Sequence, residues 1–259
     1  MTIDERVRSQ FRLDTNCPPE MEREYRIMIN ERRDIEGARV IDGISSFFRV
    51  IIYRGDSYIM ADRAVLDWAK EKYSLFKPEW FCKYHNLREL DIKLNEYGYE
   101  ISDTHVYMLP DSKAGTIEYE GDLPYTETWL YDKEIAEWFK KYGKDNNPCP
   151  HAMAGSVNQP DRIVLLLTEG DRVVAMSGVS EDCRDLWQIG IDVLPGYEGH
   201  GLATYLTDMM KRKVMSLGHI PFYGTSESHS NSLCTGIRAG FIPAWCEVFV
   251  KERQKDQTN

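Results

Sequence analysis

The sequence predicts an α/β protein of mixed α+β character in two parts. A central mixed sheet with flanking helices is expected over residues 113–259, and a smaller α+β domain over residues 1–112. Three observations carry this. The second half alternates strand-length apolar runs with helix-period segments in the order α, β, β, β, loop, α, β, α, β. A glycine-rich turn, Pro195-Gly196-Tyr197-Glu198-Gly199-His200-Gly201, joins a strand to a helix. The composition, with 42% hydrophobic and 29% charged residues, is that of a globular chain, and 259 residues can bury a core without covalent staples.

Taken in order, the first forty residues are rich in charge and broken at Cys17-Pro18-Pro19, and helical spacing covers residues 20–33. Residues 46–52 and 57–61 read as two strands joined at Arg54-Gly55-Asp56, a hairpin turn rather than an adhesion tripeptide. Residues 62–73 form a helix with Asp62 as N-cap and Ala64, Val65, Trp68 and Ala69 on its apolar face. Pro78 separates it from a second helix over residues 79–97, closed by Gly98. Residues 101–109 alternate as a strand, and Pro110-Asp111-Ser112 marks the boundary.

In the second half, Asp132–Tyr142 is an amphipathic helix on Ile135, Ala136, Trp138 and Phe139, followed by a polar loop over residues 143–160. Residues 162–168 and 172–179 are apolar strands joined at Glu169-Gly170-Asp171. Leu186–Val193 alternates as a third strand. A helix follows over residues 202–217, then a strand at Ile220–Thr225, a short helix near residues 231–239, and a final strand over 245–251.

Charge and cysteine usage exclude several classes. Lys and Arg number 32 against 42 Asp and Glu, a net charge of −10, which opposes binding to nucleic acid or to anionic lipid. No run approaches the ~18 apolar residues of a membrane helix, and the charged N-terminus lacks the apolar region of a signal peptide. A cytoplasmic protein is expected. The six cysteines are scattered, without a C-x-x-C pair. Cys149 and His151 form a lone C-x-H with no second ligand pair at zinc spacing, so no metal is expected.

The chemistry is carried by Ile189 to Ala203, where a strand runs into glycines that open a helix. Glycines allow positive φ and close approach of a ligand, and successive N–H groups can converge on an anion at a helix N-terminus. Gly199, His200, Gly201, Leu202 and Ala203 therefore read as a main-chain cradle for a phosphate or pyrophosphate. Lys211, Arg212 and Lys213, farther along the helix, read as a solvated basic helix end. A P-loop would need Gly-Lys-Ser/Thr, and Gly201 is followed by Leu202. A dinucleotide fingerprint would need Gly or Ala where Thr204 stands, and too little chain follows for the rest of that fold.

The stretch resembles the signature of the GNAT superfamily of N-acetyltransferases, whose coenzyme A loop reads Arg/Gln-x-x-Gly-x-Gly/Ala. The pattern falls on Glu198-Gly199-His200-Gly201-Leu202-Ala203. Gly201 and Ala203 match, and Glu198 departs from Arg or Gln and is expected to point outward. Residues 229–241 are similar to the family's late helix, which begins near an Asn and ends in Gly-Phe, here Gly240-Phe241. His229 falls at the usual Asn position, with Asn231 two residues on and Ser232 at the usual small residue. The resemblance covers about residues 118–251.

It implies an acetyl-CoA co-substrate in the V between Leu186–Val193 and Ile220–Thr225, with the Val193 N–H polarising the thioester carbonyl and Asn231 near the pantetheine arm. The family's frequent general acid, a Tyr on the late helix, falls at Gly236, and Cys234, Ser232 and Tyr223 are the substitutes. Asp192, Glu227 and His229 are candidate bases by position, Asp192 also reading as a structural strand-end residue and His229 as an N-cap. Trp187, Tyr197 and Trp245 read first as core aromatics and second as acceptor-pocket lining. The expected acceptor is a primary amine, small and cationic or peptidic, with no nucleic acid and no membrane as partner, and a homodimer is allowed. The alternative is a coenzyme A-binding regulatory module without turnover. A nicotinamide-dependent oxidoreductase is a third reading.

Overall fold

The computed structural model describes residues 1–24, 26–115, 117–118, 123–143 and 146–254. In chain order the elements are α1 (Ile3–Asp14), α2 (Pro19–Glu24), β1 (Ile27–Glu31), β2 (Phe48–Tyr53), β3 (Asp56–Ala61), α3 (Arg63–Tyr73), α4 (Tyr84–Asn95) and β4 (Tyr99–Pro110). There follow β5 (Thr126–Tyr131), α5 (Asp132–Tyr142), β6 (Asp161–Glu169), β7 (Arg172–Glu181), β8 (Leu186–Val193), α6 (Leu202–Ser216), β9 (Ile220–Thr225), α7 (Ser230–Arg238) and β10 (Phe241–Glu252). The chain divides into two units, Met1–Val106 with Ala244–Asn259, and Tyr107–Pro243. A single cut at 112/113 was expected from the sequence, whereas here the last strand returns to the first unit.

In the first unit the strands run β1-β3-β2-β10-β4. The β2–β3 hairpin closes through Arg54 (φ 49°) and Gly55 (φ 85°), two successive left-handed residues of the kind a tight hairpin demands. Val50, Ile59, Val65, Tyr73, Leu90 and Val248 pack in its core.

The expected helix over residues 20–33 is corrected. α2 ends at Glu24, and β1 begins at Ile27 and pairs in parallel with β3. The β-branched Ile27 and Ile29 gain more from this ladder than from an isolated charged helix. α1 is an addition, started by a reciprocal Thr2–Glu5 capping box and held by buried Val7 and Phe11. The helix expected over 79–97 is shorter: a 3-10 turn at Pro78–Trp80 precedes α4, and Asn86 donates to the Trp80 carbonyl at 2.7 Å across the break.

Four charged side chains are buried together in this unit. Arg39 Nε donates to Asp14 at 2.5 Å and Arg39 Nη2 lies 2.7 Å from Glu247, which also accepts from Arg49 at 3.1 Å. Burial opposes the Glu247 charge, but Arg39 and Arg49 more than offset it and hold its carboxyl below the usual range.

The second unit is a mixed sheet in the order β4-β9-β8-β7-β6-β5, as expected of the fold class. β5 through β8 pair antiparallel, and β8 and β9 pair in parallel. α6 covers one face through Leu202, Leu206, Met210 and Val214 against Leu165, Val174 and Ile189. α5 covers the other through Ile135 against Val164, Leu166 and Met176. The period-2 alternation of the strands thus supplies both faces. Among the described residues no helix is long and apolar enough to cross a membrane.

Candidate functional site

The site begins where two strands part. β8 and β9 are in register from Leu186↔Ile220 to Ile189↔Tyr223, and the pairing stops there. β8 continues against β7 as far as Val193. The gap therefore opens on the β9 side of residues 190–193. Leu194 donates its N–H to Val174 on β7 at 2.9 Å. Alternation along the strand then turns the Ile191 and Val193 N–H groups to the opposite edge, into the gap.

The turn after β8 delivers the chain to α6. Gly199 and Gly201 have φ of 80° and 79°, and a Cβ built on either meets no atom within 4 Å. Gly201 is the α6 N-cap and supplies no side-chain hydrogen bond, and the first turn carries no acidic residue. The first N–H groups of α6 thus receive no side-chain cap from Gly201, and the positive end of the helix dipole lies there. Leu202 is buried in the core, so it offers only its main chain. Ala203 is half-buried and His200 is exposed. Glu198 is exposed, and its carboxylate folds back to accept the Gly196 N–H at 2.8 Å. That hydrogen bond turns its charge toward the start of the turn.

The basic run on α6 is not a solvated end. Lys211 is buried, 2.8 Å from Asp208 and donating to the Ala239 carbonyl, while Arg212 pairs with Asp208 at 2.6 Å and donates to the Ile117 carbonyl. A buried Asp208 needs cations, and both are spent on it.

On the α6 and α7 side of the gap, the Tyr223 hydroxyl shares a 2.6 Å hydrogen bond with Ser232. Burial pushes the Tyr223 phenol above its ordinary value. A Cβ at Gly236 would press on Met108 and lie 3.1 Å from the Tyr223 ring. The space that a side chain at Gly236 would need is thus taken by Met108 and the Tyr223 ring. Cys234 is exposed. Glu227, His229 and Asn231 are exposed on the β9–α7 turn and the start of α7, and His229 is the N-cap without a side-chain cap bond. The structure brings Ser232 to Tyr223 and gathers none of those three with Asp192.

Asp192 lies on the other face of β8, with Gln188 and Gly190. Its carboxylate accepts the N–H groups of His151 and Ala152 at 2.7 and 2.9 Å and lies 2.9 Å from His151 Nδ1. The segment through His151 and Ala152 is pressed onto the sheet, because a Cβ at Gly190 or Gly178 would overlap its carbonyl oxygens. His151 and Cys149 do not share a site: the His151 side chain is 81% exposed, and the buried Cys149 thiol is pushed up to about 12 by burial and by Asp192. Among the described residues no three His, Cys, Asp or Glu side chains group as metal ligands. His151 has no catalytic signature in the sequence, because its partner lies 41 residues away.

Trp187 and Trp245 are core residues. Trp187 stacks on His219 at 4.0 Å, and Trp245 packs edge-on against Phe11 in the first unit. Tyr197 donates to Glu169 at 2.8 Å and lies under Arg172.

No protein-family model matches the chain, and no curated protein matches it. Several of the solved structures similar to it are described as GNAT-family or GCN5-related acetyltransferases. A putative acetyltransferase from Novosphingobium aromaticivorans is 14% identical over 61% of this chain and 69% of its own, with a TM-score of 0.42. A GCN5-related N-acetyltransferase-like protein from Streptococcus suis is 12% identical over 96% and 100%, at 0.45. A putative acetyltransferase from Salmonella typhimurium, determined with its cofactor acetyl-CoA, is 13% identical over 51% and 96%, at 0.34. Scores this low assign no activity, and the functional reading rests on the strand gap and the glycine turn.

Proposed function

We propose that this protein is an acetyl-CoA-dependent N-acetyltransferase acting on a primary amine. One observation carries the reading: the parallel β8–β9 pair stops at Ile189↔Tyr223, and β8 runs on into a glycine turn and an uncapped helix N-terminus. A strand edge with inward N–H groups beside a main-chain anion cradle suits a ligand with a pyrophosphate at one end and a polarisable carbonyl at the other.

Acetyl-CoA supplies an activated acetyl thioester. The N–H groups of Gly199, His200, Gly201, Leu202 and Ala203 bind the pyrophosphate, with the α6 dipole behind them. Asn231 and Ser232 would contact the pantetheine arm. The Val193 N–H donates to the thioester carbonyl oxygen, where negative charge grows during transfer. The Tyr223 hydroxyl, kept protonated by burial and oriented by Ser232, gives its proton to the departing sulfur. The net charge of −10 favours approach of a cationic amine over an anionic acceptor.

Calorimetric titration with acetyl-CoA, with NADH as control, tests this. Selective binding with release of free thiol in the presence of amines supports it. No binding of acetyl-CoA overturns it.

A further inference from the structure

We propose that His151 is the general base of this site and that Asp192 is its positioning residue. This rests on the acetyltransferase reading above. A carboxylate oxygen can only accept, so the 2.9 Å bond between His151 Nδ1 and Asp192 Oδ1 fixes the proton on Nδ1. In the neutral ring Nε2 then carries the lone pair. The His151 side chain is 81% exposed while Asp192 is 16% exposed, so the basic nitrogen lies on the solvent side and its anchor lies inside.

The anchoring is unusually complete for an exposed imidazole. Asp192 also takes the main-chain N–H groups of His151 and Ala152. The backbone carrying the ring rests on Gly178 and Gly190, where no side chain fits. Ring orientation and tautomer are thus set before any ligand arrives.

The location matches the need. Gly190 and Asp192 belong to the stretch of β8 that β9 no longer pairs. They lie on the face away from α6, whereas the glycine cradle and Tyr223 belong with the α6 and α7 face. With the phosphates at α6, the acceptor would enter on the His151 face of the gap. Nucleophile and leaving group then come from opposite sides of the carbonyl, with a base on one side and a phenol on the other.

In the step, an ammonium group gives one proton to His151 Nε2 and becomes a neutral amine. The amine lone pair forms the C–N bond as the C–S bond breaks. The sulfur takes a proton from Tyr223, whose phenol recovers one from the nitrogen through solvent. Ammonium and thioester become amide, thiol and one proton, which His151 releases to water.

The test joins a spectroscopic arm to a kinetic one. Nitrogen-15 spectra of the free protein should show His151 as the Nδ1–H tautomer, and Asp192→Asn should let the Nε2–H form appear. Calorimetry should give His151→Gln and Asp192→Asn an acetyl-CoA Kd within about twofold of wild type, a difference too small to matter to binding. Thiol release is measured with acetyl-CoA and spermidine, benzylamine or α-N-acetyl-lysine amide, and with water alone if none is accepted. His151→Gln should lose about 100-fold in kcat, and added imidazole should restore part of the rate in His151→Ala. An Nε2–H tautomer in the wild type, or an unchanged kcat in His151→Gln, overturns the dyad while leaving acetyl-CoA binding intact. Failure of the wild type to bind acetyl-CoA overturns the acetyltransferase reading instead, whatever the tautomer.

Discussion

The α-carbon of Gly190 and the carbonyl oxygen of His151 are packed so closely that a side chain has no room between them. Gly178 stands in the same relation to Ala152 one strand away. Gly190→Ala should therefore force the 151–152 segment off the sheet. The expected loss, by analogy with overpacked cores, is about 1–3 kcal/mol in urea unfolding. Gly199→Ala meets open space, and its only cost is the left-handed backbone, so it should lose less.

Charge at the cradle is separable from shape. Gly201→Asp places a carboxylate at the N-terminus of α6, where the pyrophosphate is expected, and should weaken acetyl-CoA by about 100-fold or more through direct repulsion. Gly201→Asn keeps a residue that accepts positive φ without the charge and should bind far better than the Asp variant. Equal affinities for the two in calorimetry would remove the anion from the site.

Glu198 spends its carboxylate on the Gly196 N–H. Glu198→Gln keeps an acceptor for that bond and removes the charge. Acetyl-CoA affinity should rise by about two- to tenfold, the worth of one partly screened charge near a polyanion. A weaker complex would mean that the carboxylate itself helps to bind.

Tyr223→Phe leaves the ring in place and removes the proton donor. A fall in kcat of about 10- to 100-fold with little change in acetyl-CoA Kd is expected. Because burial raises the phenol, the acid form persists past the ordinary tyrosine value of about 10. The alkaline fall of kcat assigned to Tyr223 should therefore lie above that pH and be absent in the Phe variant.

Glu247 links Arg39 and Arg49 inside the first unit. Glu247→Gln leaves two buried guanidinium groups short of charge and should cost about 3–5 kcal/mol, as broken buried pairs do. The folded carboxyl is held below its unfolded value, so its stabilising share is complete above about pH 4.3. That share is lost as pH falls from there through the folded value. Acid titration of unfolding should show a shallower loss in the Gln variant.

Much of the second unit was legible because its signals are local. The bounds of α5, β8 and β9 follow from alternation and helical period within ten residues or so, and Gly201 marks the start of α6. β5 was missed because Thr126, Glu127 and Thr128 are exposed on an edge strand and carry no apolar alternation. α1 was missed because its buried face is thin among charges, and its start depends on the Thr2–Glu5 exchange. In the site, the glycine turn and Asp192 stand out in the sequence, yet the partners of Asp192 and Tyr223 are found only in three dimensions. Lys211 misled for a similar reason: only the fold shows Asp208 and the Ala239 carbonyl around it.

Ligand recognition by peptide N–H groups has an evolutionary side. In the turn before α6, residue type is constrained where φ is positive, at Gly199 and Gly201, and hardly at all at exposed His200. A lineage can exchange most side chains around such a cradle without touching the atoms that hold the anion. Substitution in a turn of this kind is limited by backbone conformation at two positions and not by side-chain chemistry.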